Sequence, residues 1–265
     1  MIDIGVNLTN SRFSDDLEQV LYRAKQSGVN KLLVTGTNIV ESEQAVNLCK
    51  INPNMLFATV GVHPHDADNV TDNFINDLSK LAMQKNVKAI GECGLDFNRN
   101  FSTQTNQISV FKAQIALASK LNMPLFLHQR DAFKLWFDLL TPYFDKVPAM
   151  VAHCFTGDKN ELTLCLQAGM YIGITGWVCD ERRGKGLRDL IVDIPLNRLL
   201  IETDAPYLLP RTIKPRPKSN RNEPSFLTYI VDEIANNSNY SKEQIITQSI
   251  INADHVFNFS VTETD

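Results

Sequence analysis

The sequence has 265 residues, a net charge of −4, and hydrophobic and charged shares of 43% and 21%, those of an ordinary soluble globular protein. A chain of this length buries roughly three-quarters of its unfolded surface, so it forms a core without disulfides or a partner. The acidic balance excludes a global attraction to nucleic acid or membrane, and any polyanion site must be a local patch. The five cysteines, Cys49, Cys93, Cys154, Cys165 and Cys179, are far apart with no Cys-x-x-Cys pair. That argues against a disulfide framework or a zinc ribbon and for reduced, mostly buried thiols. No apolar run approaches the ~18 residues of a membrane span. The first apolar segment starts at Ile2, without a basic leader before it, so a cytoplasmic location is expected.

Ile2 to Leu8 reads as a strand. Ser14-Asp15-Asp16 then supplies an N-cap and early acids to a helix with Leu17, Val20, Leu21 and Ala24 on one face, ended by Gly28. Lys31 to Thr37 predicts a strand, Glu41 to Lys50 a helix, and Met55 to Val62 a strand entering Gly61-Val62-His63-Pro64-His65. A helix over Asp72 to Gln84 precedes a short apolar strand from Val87, which ends in Glu92 between Gly91 and Gly94. Ile108, Phe111, Ile115 and Ala118 mark a longer helix, Met123 to Leu127 a strand ending in His128, and Ala132, Leu135, Trp136, Leu139 and Leu140 another helical face. Ala149 to Ala152 is a strand ending in His153, Asn160 to Ala168 a helix, and Met170 to Thr175 a strand. Leu187 to Ile194 is a helix, Arg198 to Glu202 a strand leading to Asp204, and Phe226 to Ala235 a last helix. Pro206, Pro210, Pro215, Pro217 and Pro224 predict an extended loop after Asp204. No element is assigned beyond Ala235, and Val261 to Asp265 is expected to fray.

Eight strand-then-helix units with strands apolar throughout predict a parallel sheet covered by helices. That count in about 250 residues predicts a (β/α)8 TIM barrel, with residues 1–265 as a single domain. The alternative, an open doubly wound sheet, lacks a G-x-G-x-x-G turn or a P-loop after any strand. In the barrel all strand C-termini open on one face, which gathers His63, Glu92, His128, His153 and Asp204 around one mouth.

An acid at the end of a buried strand is costly unless a cation sits beside it. A lone histidine at a strand end is usually structural, but four of the five histidines sit there with two acids. Imidazole and carboxylate bind Zn²⁺ and its neighbours, and a catalytic site typically uses three protein groups plus water. Glu92, His128 and His153 are therefore the expected metal ligands, with Zn²⁺ or Mn²⁺ favoured by ligand chemistry. Glu92 and Asp204 are the candidate catalytic residues; Asp204 is placed to orient or deprotonate water, or else merely caps the next turn. Because Pro64 stiffens the loop between them, His63 and His65 read as support or as contacts to an anionic substrate rather than ligands. Cys93 and Cys154 read as packing residues.

Two basic runs follow the last two strands: Arg182, Arg183, Lys185 and Arg188, then Arg211, Lys214, Arg216, Lys218 and Arg221. Such runs are usually solvated surface, but on adjacent loops at the mouth of an acidic protein they predict a polyphosphate track, with Arg182, Arg183 and Arg211 as substrate contacts. Trp177, Phe155 and Phe97 are candidates either to stack bases or to fill the core. The residues alone reach a metal hydrolase of a polyanion. A small-molecule amidohydrolase or lactonase uses the same ligands without needing the basic loops, and a non-catalytic nucleic-acid or protein-binding barrel is the alternative from another class.

In order along the chain, Gly91-Glu92-Cys93-Gly94-Leu95-Asp96, His128-Gln129-Arg130-Asp131, His153-Cys154-Phe155-Thr156-Gly157 and Glu202-Thr203-Asp204-Ala205-Pro206-Tyr207 resemble the TatD family of metal-dependent deoxyribonucleases. So do Asp3-Ile4-Gly5-Val6-Asn7-Leu8, Phe97-Asn98-Arg99-Asn100-Phe101 and the segment from Gly176 to Gly184, and the likeness runs from Ile2 to Pro224. The resemblance implies an amidohydrolase-type TIM barrel and Mg²⁺-dependent 3′-5′ exonuclease action on single-stranded DNA or RNA. It also implies a cytoplasmic setting; a monomer acting in DNA repair or nucleic-acid degradation is the expectation. Many relatives start with His-x-His on the first strand, where this chain has Gly5 and Asn7. One firmly held ion is expected for that reason, and a second weakly bound at most.

Overall fold

The computed structural model describes residues 1–259; the tail expected to fray, Val261 to Asp265, lies outside them. The elements in order are β1 (Ile2–Val6), α1 (Leu17–Gln26), β2 (Lys31–Val34), α2 (Ile39–Ile51), β3 (Leu56–Val60), α3 (Phe74–Ala82), β4 (Val87–Asp96) and α4 (Gln104–Leu121). There follow β5 (Leu125–Arg130), α5 (Phe133–Leu140), β6 (Met150–Ala152), α6 (Lys159–Gln167), β7 (Tyr171–Ile174), α7 (Lys185–Ile191), β8 (Leu199–Ile201), α8 (Leu227–Asn236) and α9 (Lys242–Phe257). The eight strands form one sheet in chain order, and a bridge from Val6 to Ala205 joins the first to the segment after the last. This is the (β/α)8 barrel expected from the alternating pattern.

Two compact units are distinguishable by their internal contacts. The first comprises Met1–Val34 and His153–Ala253. In it β1 pairs parallel with β2 from Ile2↔Lys31 to Val6↔Val34, and β7 with β8 from Ile172↔Leu199 to Ile174↔Ile201. Ile4, Val6, Leu32, Leu33, Ile174 and Leu200 bury fully or nearly so, because helices cover the sheet and leave no wet face. The second comprises Thr35–Ala152 and the chain from Asp254. There β3 to β6 pair in parallel, and Phe57 packs edge-on against Phe259 at 4.8 Å.

Side-chain caps open α2, α4 and α6. Asn38 accepts from the N–H of Glu41 at the head of α2, Thr103 from that of Asn106 at α4, and Asp158 from those of Asn160 and Glu161 at α6. Asp16 stands at the expected cap of α1 but does not cap it. Its carboxylate instead takes a bidentate pair from Arg221 at 2.6 and 2.8 Å and a contact from Arg23 at 3.2 Å. Charge-assisted forks outcompete a neutral backbone donor.

The chain pattern missed α9. Its start is a capping box, in which Gln244 N–H donates to the Ser241 hydroxyl and Ser241 N–H to the Gln244 side chain. The Ser-x-x-Gln spacing was legible, and Ile245, Ala253, Val256 and Phe257 are its buried apolar residues. Two strands also outrun their expected ends: β4 does not stop at Glu92 but runs on to Asp96, and β5 does not stop at His128 but runs on to Arg130, the two pairing through Asp96↔Arg130.

Candidate metal centre

Glu92 is 6% exposed within β4, between two glycines that the close approach of β5 requires. A Cβ at Gly91 would lie 2.2 Å from the Phe126 carbonyl oxygen, and one at Gly94 would lie 1.8 Å from that of His128; both residues also have positive φ, +146° and +155°. The strands therefore run close enough for His128 Nδ1 to donate to Glu92 Oε1 at 3.0 Å. His63, from the loop after β3, places Nε2 3.4 Å from the same oxygen. Among the described residues, His63, Glu92 and His128 form a group whose donor atoms lie within 4.8 Å of one another.

The three rings differ in where their protons sit. His63 Nδ1 accepts the His65 N–H at 3.1 Å, so the neutral ring carries its proton on Nε2 and points it at Glu92. Burial pulls this imidazole down to about 4 against the pull of Glu92, which keeps it neutral. His128 is turned the other way: Nδ1 donates to Glu92, while the buried Nε2, 3.5 Å from Asp96 Oδ2, makes no hydrogen bond. Burial lowers its affinity for a proton, but the carboxylates of Asp96 and Glu92 together raise it. An orphaned imidazole nitrogen beside two carboxylates fits a divalent cation.

His153, after β6, is fixed by Glu202. Its Nδ1 donates to Glu202 Oε2 at 2.5 Å, and Oε1 accepts the Cys154 N–H at 2.6 Å. That bond sets the ring's orientation and leaves Nε2 4.0 Å from Asp204 Oδ1. Asp204 follows β8, its N–H bonded to Gly5 O at 2.8 Å, and its Oδ1 accepts from Asn7 Nδ2 at 3.0 Å. Beneath it Asp3, fully buried, takes the Thr203 N–H at 2.9 Å and the Thr203 hydroxyl at 2.6 Å. Burial drives the Asp3 carboxyl up to about 7 despite those bonds.

Asp3, Asp96, Glu202 and Phe101 were not singled out from the sequence. Asp96 accepts from His65 Nε2 at 2.7 Å and from the N–H groups of Asn98 and Arg99. Glu202 follows β8 directly, and its place at the end of an apolar run was the available signal. Phe101 is 67% exposed, with its ring edge-on to His65 at 4.7 Å. The loop under it is fixed by Ser102, whose hydroxyl donates to His65 O and accepts the Asp68 N–H. Phe155, a candidate for base stacking, is 6% exposed and belongs to the core.

The basic loops divide into two kinds. Arg188 donates to the carbonyls of Val178, Asp180 and Glu181, and Arg221 is held by Asp16 over the Phe13 ring, so both brace the fold. Arg183 and Arg211 both pair with Asp180 and line a cavity of about 270 Å³ with Trp177 and Arg216. Arg182, Lys185, Lys214 and Lys218 are exposed. Cys93 is buried, and the Cys154 thiol lies 3.3 Å from the Thr175 hydroxyl. No helix among the described residues is long and apolar enough to cross a membrane.

A parallel barrel of eight βα units with imidazole and carboxylate donors on and after its strands defines the class of TIM-barrel metal-dependent hydrolases. Within that class the family model described as TatD related DNase matches residues 2–258, and the chain belongs to this family. A protein of Dickeya dadantii named 3′-5′ ssDNA/RNA exonuclease TatD is 57% identical over 235 residues, 89% of each chain. One of the same name from Pantoea ananatis is 51% identical over 257 residues, 97% of this chain and 99% of that one. Among solved structures, a TatD family hydrolase from Entamoeba histolytica superposes with a TM-score of 0.89 at 26% identity over 98% of each chain. A TatD homologue from Escherichia coli does so at 0.88 and 27% identity over 97% of this chain and 98% of that one.

Proposed function

We propose that this chain is a metal-dependent phosphodiesterase that removes nucleotides from the 3′ end of single-stranded DNA and RNA. The observation that carries the reading is the Glu92 and His128 pair, a carboxylate and an imidazole with an orphaned nitrogen, in a chain of the DNase family. Relatives named for 3′-5′ exonuclease action on both nucleic acids support the polarity and the substrate. Glu92 and His128 would hold the ion, with His153 the further ligand expected from its place after β6, whereas His63 turns its protonated nitrogen to Glu92. Mg²⁺ is the first candidate, because cellular availability overrides the preference of imidazole for Zn²⁺ or Mn²⁺. A divalent ion bound there lowers the pKa of its water and polarises a phosphoryl oxygen.

The chain's own groups do the rest. His63 donates to Glu92 and holds that carboxylate in place. Asp204, oriented through Oδ1 by Asn7, takes the proton of the attacking water. Glu202 fixes the ring of His153. Arg182, Arg183, Arg211 and His65 meet the phosphates, and the exposed ring of Phe101 offers a face to the terminal base. A monomeric single domain working in the cytoplasm, in DNA repair or nucleic-acid degradation, completes the proposal.

The test is release of mononucleotides from a 5′-labelled single strand by chelator-stripped protein, with Mg²⁺, Mn²⁺ and Zn²⁺ added in turn. Metal-dependent shortening from the 3′ end is expected. Hydrolysis of small amides or lactones with no attack on the strand would overturn the reading.

A further inference from the structure

Asp180 is 3% exposed and is not among the proposed catalytic groups or ligands. Burial opposes its charge, but the N–H groups of Arg183 and Arg182 and the Arg183 guanidinium outweigh that and hold the carboxyl down at about 2. It takes Arg183 Nε and Nη2 at 2.9 Å and lies 3.2 Å from Arg211 Nε. The two arginines come from the loops after β7 and β8, and this one buried carboxylate fixes both. Their side chains remain 54% and 44% exposed, and Arg183 also lies over the Trp177 ring at 4.4 Å.

With Arg216 they line the cavity of about 270 Å³, so three guanidiniums face one carboxylate. The excess of positive charge is permanent, since guanidinium does not deprotonate. Ordinary solvated arginines do not share a buried acid that lines a cavity. The planar fork of guanidinium matches phosphate, and holding two of them in advance removes the ordering cost at binding. The cavity walls also grow from segments of the site: Gly176 follows Thr175, whose hydroxyl meets Cys154 beside His153, and Leu208 lies four residues after Asp204.

We infer that this cavity is a subsite for one backbone phosphate of the bound strand, and that Asp180 is the positioning residue that holds Arg183 and Arg211 for it. The inference rests on the nuclease reading and deepens it. The strand is then gripped at a set number of nucleotides from the cleaved bond, which makes the enzyme length-sensitive.

The test replaces one phosphate at a time in a short oligothymidylate by a neutral methylphosphonate and measures KM and kcat for the wild type, Asp180→Asn, Arg211→Gln and the double variant. One position away from the cleaved bond should raise the wild-type KM about tenfold with kcat little changed. At that position the variants should lose nothing further, having already lost the contact on the unmodified strand, and the double variant should be no worse than the worse single one. Strands too short to reach the cavity should show no difference in KM among the four proteins. A methylphosphonate effect that is the same in wild type and variants at every position would overturn the inference. So would a fall in kcat on all lengths alike, the mark of a general structural role; Arg211→Gln, half exposed on a loop, guards against misfolding of the Asp180 variant. Failure of the nuclease reading is separately visible, because the wild type would then cleave no strand at all.

Discussion

Asn7 donates from Nδ2 to Oδ1 of Asp204 at 3.0 Å, joining the residue after β1 to the one that is proposed to take the proton. Its amide also reaches Ala205 O at 3.4 Å, and two acceptors on one side fix which end is nitrogen. The amide thus orients a carboxylate. Asn7→Ala is expected to lower kcat about tenfold with KM unchanged, the scale of one lost charge-assisted bond. Asn7→Asp should do worse, because a second carboxylate would face Asp204. Steady-state kinetics on a short strand decides it, and normal kcat in both variants would remove Asn7 from the mechanism.

Removing the proposed ligand charge should separate function from folding. Glu92→Gln is expected to abolish hydrolysis and the tight ion while circular dichroism stays that of the wild type, since an acid surrounded by imidazoles serves a cation more than the core. Calorimetric titration of the wild type should give one tight divalent site. His63→Ala should keep that site and lose only part of kcat, as its proton lies on the nitrogen facing Glu92. Loss of the ion in His63→Ala would make His63 a ligand.

Phe101 offers an exposed ring on a braced loop beside His65. Stacking of one base on an aromatic is worth ~1–3 kcal/mol, so Phe101→Ala should raise KM about tenfold and Phe101→Trp should restore it. A 2-aminopurine at the 3′ end should be quenched on binding to the wild type and much less on Phe101→Ala. Equal quenching in both would assign the terminal base elsewhere.

Asp3 gives the fold a pH dependence of definite sign. Its folded value of about 7 stands above the ordinary 3.8, so between those values the folded state holds a proton that the unfolded state has released. Stability is therefore unaffected by this group below about 3.8, falls as pH rises, and has lost the full contribution above about 7. Urea midpoints at pH 5, 6 and 8 should decline for the wild type and decline less for Asp3→Asn. Parallel declines would mean that another group controls the slope.

How far the sequence could be read follows from the range of the forces involved. Barrel class was legible because burial on both faces writes itself into every strand as an apolar run, from Leu32–Leu33–Val34 to Leu199–Leu200–Ile201, and helices between them carry their own period. Glu92, His128, His153 and Asp204 were legible as candidates because each interrupts such a run at its end. The capping box at Ser241 and Gln244 is equally local, a Ser-x-x-Gln spacing that marks the start of α9 in the sequence itself. Tertiary structure alone decided the tautomers: which nitrogen of His63, His128 or His153 carries the proton depends on His65 N–H, Glu92 and Glu202, the last 49 residues from His153. It also decided which arginines brace the fold and which line a cavity, since Arg221 finds Asp16 across 205 residues and Arg211 finds Asp180 on another loop. Apolar patterning is an average over many residues and survives in one dimension. A hydrogen bond or ion pair is a relation between two atoms brought within about 3 Å by the whole chain, and composition carries no trace of it.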